Sequence, residues 1–371
     1  MIFTDNYPAP QDLYRNMFVH KRVTAYKEKG LLVDVMRMNP FAVDCVREFE
    51  GINVIEGHAD TLDAILKNGS IDTVCVHFLN QDMWNVLKQY LRSVRLIVWS
   101  HGADIQPWWR RTFNYQTEEE LEKAKRASES RMALWHEVFA ASETTDIQFV
   151  FVSRFAANQV MEDYQTVLPE GKYHVIHNCI DTEQFAYVPK KPEDRKKLLS
   201  IRPYASRKYA NDLMVNAILE LSKDPWFPEL EIALYGNGPL FDELLAPLQK
   251  FSNIHIEKKY FTQSEIAELH KQYGVFLTAT REDTHGVSRD EAMSSGLVVV
   301  TNAVTAIPEF TDDSCAMLSP ADDYLDMADK LRQLYRDPEL YLKISENAAK
   351  RVRSQTSREY TIDKEIQLIW S

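Results

Sequence analysis

The chain has 371 residues, 45% of them hydrophobic, with 17 Phe, 17 Tyr and 7 Trp. That is enough apolar material for two packed α/β domains, and it excludes disorder as a description of the whole chain. A formal charge of −12 leaves no basic footprint for general nucleic-acid binding. Cys45, Cys75, Cys179 and Cys315 lack CxxC spacing. They read neither as a zinc site nor as a disulfide framework and suit a reducing, cytosolic compartment. The start, MIFTDNYPAP, does not read as a signal peptide. No apolar run approaches the roughly 18–20 residues that span a bilayer. Any membrane contact is therefore expected to be peripheral.

Short β-rich runs alternate with amphipathic stretches. Strands are expected at Ile2–Thr4, Leu32–Met36, Asn53–Glu56, Thr73–His77, Leu96–Ser100, Phe149–Ser153 and His174–His177. Helical patterns lie between them at Leu13–Lys29, Thr61–Lys67, Met83–Arg92, Glu118–Ala141 and Arg154–Tyr164. This rhythm predicts a parallel sheet wrapped by helices. Pro189–Lys197, PKKPEDRKK, places two prolines among charges and reads as a linker. The rhythm then restarts with strands near Leu198–Ile201, Ile232–Tyr235, His255–Glu257, Val275–Thr278, Val298–Thr301 and Ala316–Leu318. Helices intervene at Asn211–Ser222, Leu240–Lys250, Ser264–Tyr273 and Val287–Ser294, and the end is helical from Tyr324. The expected fold class is α/β, with two doubly wound, Rossmann-like sheets facing across a cleft. Ligands of such sheets sit outside the C-terminal strand ends.

Residues 278–309 carry the most information. They read as strand, polar loop, helix start at Gly286, Gly296 stop, second strand and a loop to Pro308–Glu309. Gly286 lets the backbone approach a ligand, and the free N–H groups of the helix start favour an anion. Asp283 precedes the helix, and Glu291 lies just over one turn into it, where a carboxylate can accept both hydroxyls of a ribose. Arg202 follows a strand end and Lys208 comes six residues later. Two cations there can grip a nucleotide diphosphate and stabilise its charge as it leaves. Arg207 is a rival for the role of Lys208. His101 ends the strand of VWSHGAD before Gly102, and His77 is a second candidate at a strand end.

The acidic residue, seven intervening residues and Glu-Ala-Met-Ser-Ser-Gly at 291–296 resemble the signature of retaining glycosyltransferases of the GT-B fold, family 4. The branch resembled has Asp-Thr-x-Gly-Val-Ser. That resemblance implies that Glu291 binds the nucleotide ribose, that Asp283 touches donor sugar hydroxyls, and that the amides of His285, Gly286 and Val287 line the sugar and diphosphate. It implies phosphate roles for Arg202 and Lys208, and a hydrogen bond from His101 to the donor sugar. LYGNGPL, with Gly236 and Gly238, resembles the family's Gly-x-Gly-Pro, and the nucleotide base is expected near Lys259 and Phe261. HVIHNCIDTEQF resembles the family's Asn-Gly-Ile-Asp crossing, with Cys179 in place of Gly. The loop Asp5–Gln11 holds no glycine where family members often carry Gly-Gly.

The resemblance divides the chain into 1–190, which takes the acceptor, 191–354, which takes the nucleotide sugar, and a helix at 355–371 packing back on the first domain. It implies a retaining, metal-independent hexosyltransferase with no cofactor. The donor would be a nucleotide diphosphate sugar, and the acceptor a hydroxyl of a glycan or lipid-linked molecule in bacterial surface polysaccharide synthesis. Trp108, Trp109 and Arg110 are candidates for the acceptor, as stacking faces and a phosphate or anionic-lipid contact. The basic first helix (Arg15, Lys21, Arg22, Lys27, Lys29) is a solvated face by default or docks on the inner face of an anionic membrane. The abrupt start also fits one module of a larger polypeptide. The alternatives are a nucleotide-sugar epimerase of the same fold, a nicotinamide-dependent oxidoreductase (whose GxGxxG the Asp5–Gln11 loop lacks) and a non-catalytic sugar-binding module.

Overall fold

A computed structural model describes residues 1–10, 15–39, 41 and 43–371. The start of the helix expected from Leu13, and Gln11 at the end of the first loop, lie outside the described residues. The chain forms two units. One comprises Met1–Arg110, Thr117–Cys179 and Glu359–Ser371; the other comprises Arg111–Gln116 and Ile180–Arg358.

In the first unit the elements run β1 (Ile2–Thr4), α1 (Met17–Glu28), β2 (Val35–Met38), β3 (Cys45–Phe49), β4 (Ile52–Gly57), α2 (Ala59–Lys67), β5 (Thr73–His77) and α3 (Gln81–Leu87). Then come β6 (Arg95–Ser100), α4 (Glu118–Ser142), β7 (Ile147–Phe151), α5 (Arg154–Asp163) and β8 (Tyr173–Val175), with a 3-10 turn, Trp108–Asn114, that the division at Arg110 splits between the units. The sheet order is β3-β4-β2-β1-β5-β6-β7-β8. All its pairs are parallel except β3 with β4. Alternate residues of one strand feed the two faces: Leu96 and Val98 join one core, Ile97 and Trp99 the other. A parallel sheet covered on both faces needs such unbroken apolar runs. The sequence pattern missed β3 because its residues, apart from Phe49, are not buried, so it carries no in–out alternation.

The second unit runs β9 (Lys197–Pro203), α6 (Asn211–Leu221), β10 (Glu231–Asn237), α7 (Phe241–Leu245), β11 (Ile254–Lys258), α8 (Gln263–Gln272) and β12 (Val275–Leu277). It continues with α9 (Val287–Ser294), β13 (Val298–Asn302), α10 (Ile307–Phe310), β14 (Met317–Ser319), α11 (Tyr324–Arg336) and α12 (Pro338–Gln355). Its sheet is all parallel, ordered β11-β10-β9-β12-β13-β14. The helix expected over Leu240–Lys250 breaks at Pro247, where the chain tightens into a 3-10 turn, Ala246–Leu248.

The stretch expected as a linker is packed instead. Pro192–Lys196 forms a 3-10 turn. Lys190 is buried, with its ammonium on the His270 carbonyl at 2.6 Å, and Arg195 reaches the Tyr335 carbonyl at 2.9 Å. The division between the units falls earlier, at Cys179 and Ile180. The last helix, α13 (Arg358–Trp370), buries Ile362, Ile366 and Leu368 in a core of the first unit. Its Glu365 accepts from Arg22 Nε at 2.9 Å and from the Tyr26 hydroxyl, and Arg22 also reaches Asn178 at 2.8 Å.

Candidate active site

In the second unit β9 lies between β10 and β12, so the sheet reads 3-2-1-4-5-6 in strand order and reverses between β9 and β12. Doubly wound sheets bind nucleotides at that reversal, beyond the C-terminal strand ends. Arg202 ends β9 there and is 7% exposed. Its Nη1 lies 3.3 Å from the Ser288 hydroxyl and its Nη2 donates to the Ala279 carbonyl at 2.9 Å. Its Nε is buried with no partner among the described residues. A guanidinium with a donor to spare and no carboxylate bonded to it is primed for an added anion.

Lys208 sits on a 3-10 turn, Arg207–Tyr209, fixed by the Ser206 hydroxyl, which accepts from the Lys208 amide at 3.3 Å. Its carbonyl accepts from the Arg281 amide at 2.8 Å and from the Thr280 hydroxyl at 3.2 Å, which stitches the turn to the loop after β12. Arg281 pairs with Asp212 at 2.6 Å, and Asn302 holds Thr280 through two bonds of 3.0 and 2.7 Å. Burial alone would raise the Asp283 carboxyl, but Lys208, the His285 amide, Arg202 and Arg289 hold it below the usual carboxylate range. Lys208 therefore bears on Asp283, whereas the exposed Arg207 acts on Asp212. Nothing among the described residues accepts a hydrogen bond from the Lys208 ammonium.

The helix α9 starts at Gly286 with φ 92 and no capping side chain. A Cβ at Gly286 would stand 2.9 Å from Arg289 Nη1, so glycine serves both the left-handed turn and the close guanidinium. Glu291 is 5% exposed, one turn further along. The His285 amide is already committed to Asp283 Oδ1 at 3.0 Å. That corrects the expectation that it lines the ligand; the Gly286 and Val287 amides are the ones left at the helix start. The His285 ring is buried, bonded to Asp290 at 2.9 Å and stacked on Phe310 at 4.1 Å.

Two residues escaped the sequence reading. Arg289 and Asp290, which look like exposed helix charges, are each 2% exposed. Arg289 Nε donates to Asp290 at 2.8 Å, its guanidinium lies 5.0 Å from the Phe310 ring, and its Nη1 has no hydrogen-bond partner among the described residues. No local signal marks them, because their burial depends on the packing of His285 and Phe310.

Gly236 and Gly238 are glycine for a packing reason. A Cβ on Gly236 would lie 1.9 Å from the Arg202 carbonyl, and one on Gly238 would lie 2.3 Å from the Tyr204 backbone. Phe261 is buried against Tyr235 at 4.9 Å, and Lys259 covers its ring at 4.5 Å while its amide donates to the Gly236 carbonyl. The Phe261 ring thus belongs to the core, and the backbone of 259–261 borders the Gly236 strand end.

In the first unit His77 and His101 end neighbouring strands. His77 Nδ1 and His101 Nε2 are 2.9 Å apart, and the rings stack at 5.2 Å with Phe78 4.7 Å beyond His101. Burial pushes both imidazoles well below the ordinary histidine range, so both are neutral. One proton is shared between them. His77 Nε2 is buried without a partner. A buried lone pair is tolerated better than an orphaned N–H, so His77 Nδ1–H donates and His101 carries its own proton on Nδ1.

The expected anionic contacts of the first unit fail on charge. Arg110 bonds Asp163 through Nε at 2.9 Å and Glu162 through Nη2 at 2.8 Å, so its charge is consumed. Trp109 donates to Asp163 at 3.1 Å, and Trp108 packs 5.4 Å from the Lys125 ammonium. On α1, Arg22 is buried on Glu365, Lys27 bonds the Gly51 carbonyl and Lys29 pairs with Asp363. Of the basic residues counted for this helix, Arg22 and Lys29 are thus bonded to carboxylates. The glycine-free loop after β1 is held by Arg37 on the Asp5 carbonyl and Arg47 on the Pro8 carbonyl. Among the described residues no helix is long and apolar enough to cross a membrane, and no group of three His, Cys, Asp or Glu could hold a metal ion.

Comparison with known proteins fits this geometry. A family model described as Glycosyl transferases group 1 matches residues 181–351, and one described as Glycosyltransferase Family 4 matches 46–184. The chain is 24% identical over 225 residues to N-acetyl-alpha-D-glucosaminyl L-malate synthase of Bacillus anthracis, covering 57% of each chain. It is 24% identical over 185 residues to the UDP-N-acetylglucosamine–peptide N-acetylglucosaminyltransferase GtfA subunit of Streptococcus pneumoniae, covering 48% of this chain and 35% of that protein. The matched parts thus span about half or less of these relatives. In fold it resembles sucrose-phosphate synthase from Thermosynechococcus elongatus, with a TM-score of 0.75, 14% identity and coverage of 99% and 97% of the two chains. Between them the two family models account for residues 46–351, so the chain resembles group 1 glycosyltransferases in both units, and its fold is the two-domain GT-B fold.

Proposed function

We propose that the protein moves a sugar from a nucleotide diphosphate sugar to a hydroxyl of a glycan or lipid-linked acceptor, with retention at the anomeric carbon. The supporting observation is the pair Arg202 and Lys208, two cations without a bonded carboxylate where the second sheet reverses. They take the two phosphates and stabilise the charge that grows as the sugar–phosphate bond breaks. The uncapped start of α9 adds the Gly286 and Val287 amides to the same anion. Glu291 accepts from the ribose hydroxyls, and Asp283, kept ionised by Lys208 and Arg202, accepts from the donor sugar. His101 is assigned to the reacting sugar as a neutral donor.

Retention follows if the acceptor hydroxyl attacks from the face the phosphate leaves. The acceptor oxygen bonds the anomeric carbon, the carbon–oxygen bond to phosphate breaks, and the acceptor proton passes to the departing phosphate. This route needs no carboxylate nucleophile, and its charge stabilisation comes from the chain's own cations and amides. Surface polysaccharide synthesis on the cytoplasmic side is the biological setting proposed.

A thermal-shift panel of nucleoside diphosphates tests the reading. A nucleotide at 100 times its Kd adds about 2.7 kcal/mol. UDP comes first, because one relative's name contains a UDP sugar. Nucleotide sugars then follow by mass spectrometry. Slow hydrolysis or transfer with the sugar's configuration kept is expected. Conversion of one nucleotide sugar into another without an acceptor identifies an epimerase instead, and no nucleotide binding at all removes the proposal.

A further inference from the structure

A cavity of about 550 Å³ lies wholly within the first unit, bounded by Trp109 and Arg110, the middle of α4 and the C-terminal end of α5. Its volume falls within the roughly 300–1,000 Å³ of small-molecule sites. Trp109 is 40% exposed, yet it is clamped: its indole N–H donates to Asp163 Oδ1 at 3.1 Å. Asp163 is in turn fixed by Arg110, which donates from Nε to both of its oxygens at 2.9 and 3.1 Å, and its side chain is 3% exposed. An exposed indole held at its edge by a buried carboxylate is a rigid platform that loses little entropy on binding.

The rest of the wall sets polar groups beside Met132 and Tyr164. His136 is exposed, with its ring edge-on to Tyr164 at 5.2 Å, and the Glu162 side chain is 74% exposed. The wall holds one guanidinium, already shared by two carboxylates, inside a chain of formal charge −12. Phosphates and sulfates are repelled there; a ring with apolar C–H faces and uncharged hydroxyls is not. The platform takes the C–H face, while Glu162 and His136 meet the hydroxyls.

The cavity is also set back from the strand ends. The α5 N-cap, Ser153, follows β7 directly, and ten helical residues separate it from the Glu162–Asp163 end. At 1.5 Å per residue that is about 15 Å.

We propose that this cavity is a remote glycan subsite that holds uncharged pyranose units of the acceptor, away from the hydroxyl that reacts. It rests on the acceptor being a glycan, and it replaces the anionic role expected for Arg110 with recognition of a neutral sugar chain. Trp109, Glu162 and His136 contact the sugar; Asp163 and Arg110 position Trp109.

The test is calorimetric and saturation-transfer NMR titration of the full chain. Probes are maltotriose, triacetylchitotriose and mannotriose, with glucose 6-phosphate as the anionic comparator. At least one trisaccharide binds, about tenfold more weakly in Trp109→Ala, as expected for a lost aromatic contact. Trp109→Phe, which keeps a ring but loses the clamp, falls between. Glucose 6-phosphate does not bind at this site. Lys208→Ala, which disables the proposed transfer, leaves trisaccharide binding unchanged. The subsite is overturned if none of the three binds, if Trp109→Ala leaves binding intact, or if glucose 6-phosphate competes. Trisaccharide binding at Trp109 in a protein that transfers nothing would keep the subsite and remove the activity; transfer without such binding would do the reverse.

Discussion

Apart from the antiparallel β3 and the edge strand β8 of the first unit, the two sheets share one order of strands, and they differ in what their ends carry. In the second unit the ends around β9 and β12 present Arg202, Lys208 and Arg289, with spare donors on Arg202 and Arg289. In the first unit the ends of β5 and β6 present His77 and His101, neutral and stacked among Trp99, Phe78 and Phe18. Doubly wound topology fixes where a ligand meets the sheet; the side chains at that edge fix its charge. One edge carries cations with spare donors, and the other offers uncharged hydrogen-bonding groups and ring faces.

The contrast breaks first at Lys208. Lys208→Ala should cut kcat by about 10²–10³, the usual loss on removing a donor to a developing oxyanion. Removing a neutral partner on the other edge, as in His101→Ala, should cost only about tenfold. His101→Ala should lower transfer more than nucleotide affinity. Steady-state kinetics with the identified donor and nucleotide calorimetry check both. Equal losses would mean that the edges do not divide the work by charge.

Next in size is Gly236→Ala. The added Cβ would collide with the Arg202 carbonyl at a φ of 155. Overpacking of this kind costs about 3 kcal/mol, read as a fall in the urea midpoint. A variant with native stability but weakened nucleotide binding would instead tie Gly236 to the donor.

Legibility followed sequence distance. Asp283, Gly286 and Glu291 lie within one short motif, and Arg202 and Lys208 flank one turn, so their grouping could be read before the fold. Arg289 and Asp290 could not, because only the stacked His285 and Phe310 reveal that the Ser-Arg-Asp-Glu face points inward. The elements of the parallel sheets were readable from their buried apolar runs. The antiparallel β3 was not, since Cys45 and Val46 face solvent. Pro189–Lys197 has a linker's composition, and its burial depends on the His270 and Tyr335 carbonyls far along the chain. The clamp on Trp109 joins residues 54 apart, which no local pattern encodes.

A smaller effect sharpens the comparison on the first unit's edge. If His101 serves the reacting sugar as proposed, His77 positions it through their 2.9 Å bond. His77→Phe frees the His101 tautomer and should lower kcat about fivefold with little change in KM, the size of one neutral hydrogen bond. His77→Asn keeps a donor near Nδ1 and should recover most of that rate. Imidazole ¹⁵N shifts report the tautomer directly: the His101 proton should sit on Nδ1 in the native protein and in His77→Asn. A proton on His101 Nε2 would reverse the assignment.

The last effect is set by pH, and it separates the units without any substrate. Burial lowers His270 of the second unit to about 3, with Lys190 adding to the effect, and it holds His77 and His101 of the first unit well below 6.5. A histidine whose folded pKa is depressed leaves the unfolded chain binding more protons below pH 6.5. Stability is therefore whole above that pH and falls as acid is added, down to the folded pKa. Between pH 7.5 and 5.5 His270 should cost about 1.4 kcal/mol, and the bonded His77–His101 pair should lose stability in the same direction. His270→Gln should remove that slope from the second unit alone, and His77→Asn should reduce it in the first. Hydrogen exchange at the two pH values, followed peptide by peptide, assigns each loss to its unit. An acid response confined to one unit would show that the other tolerates its buried imidazole in charged form.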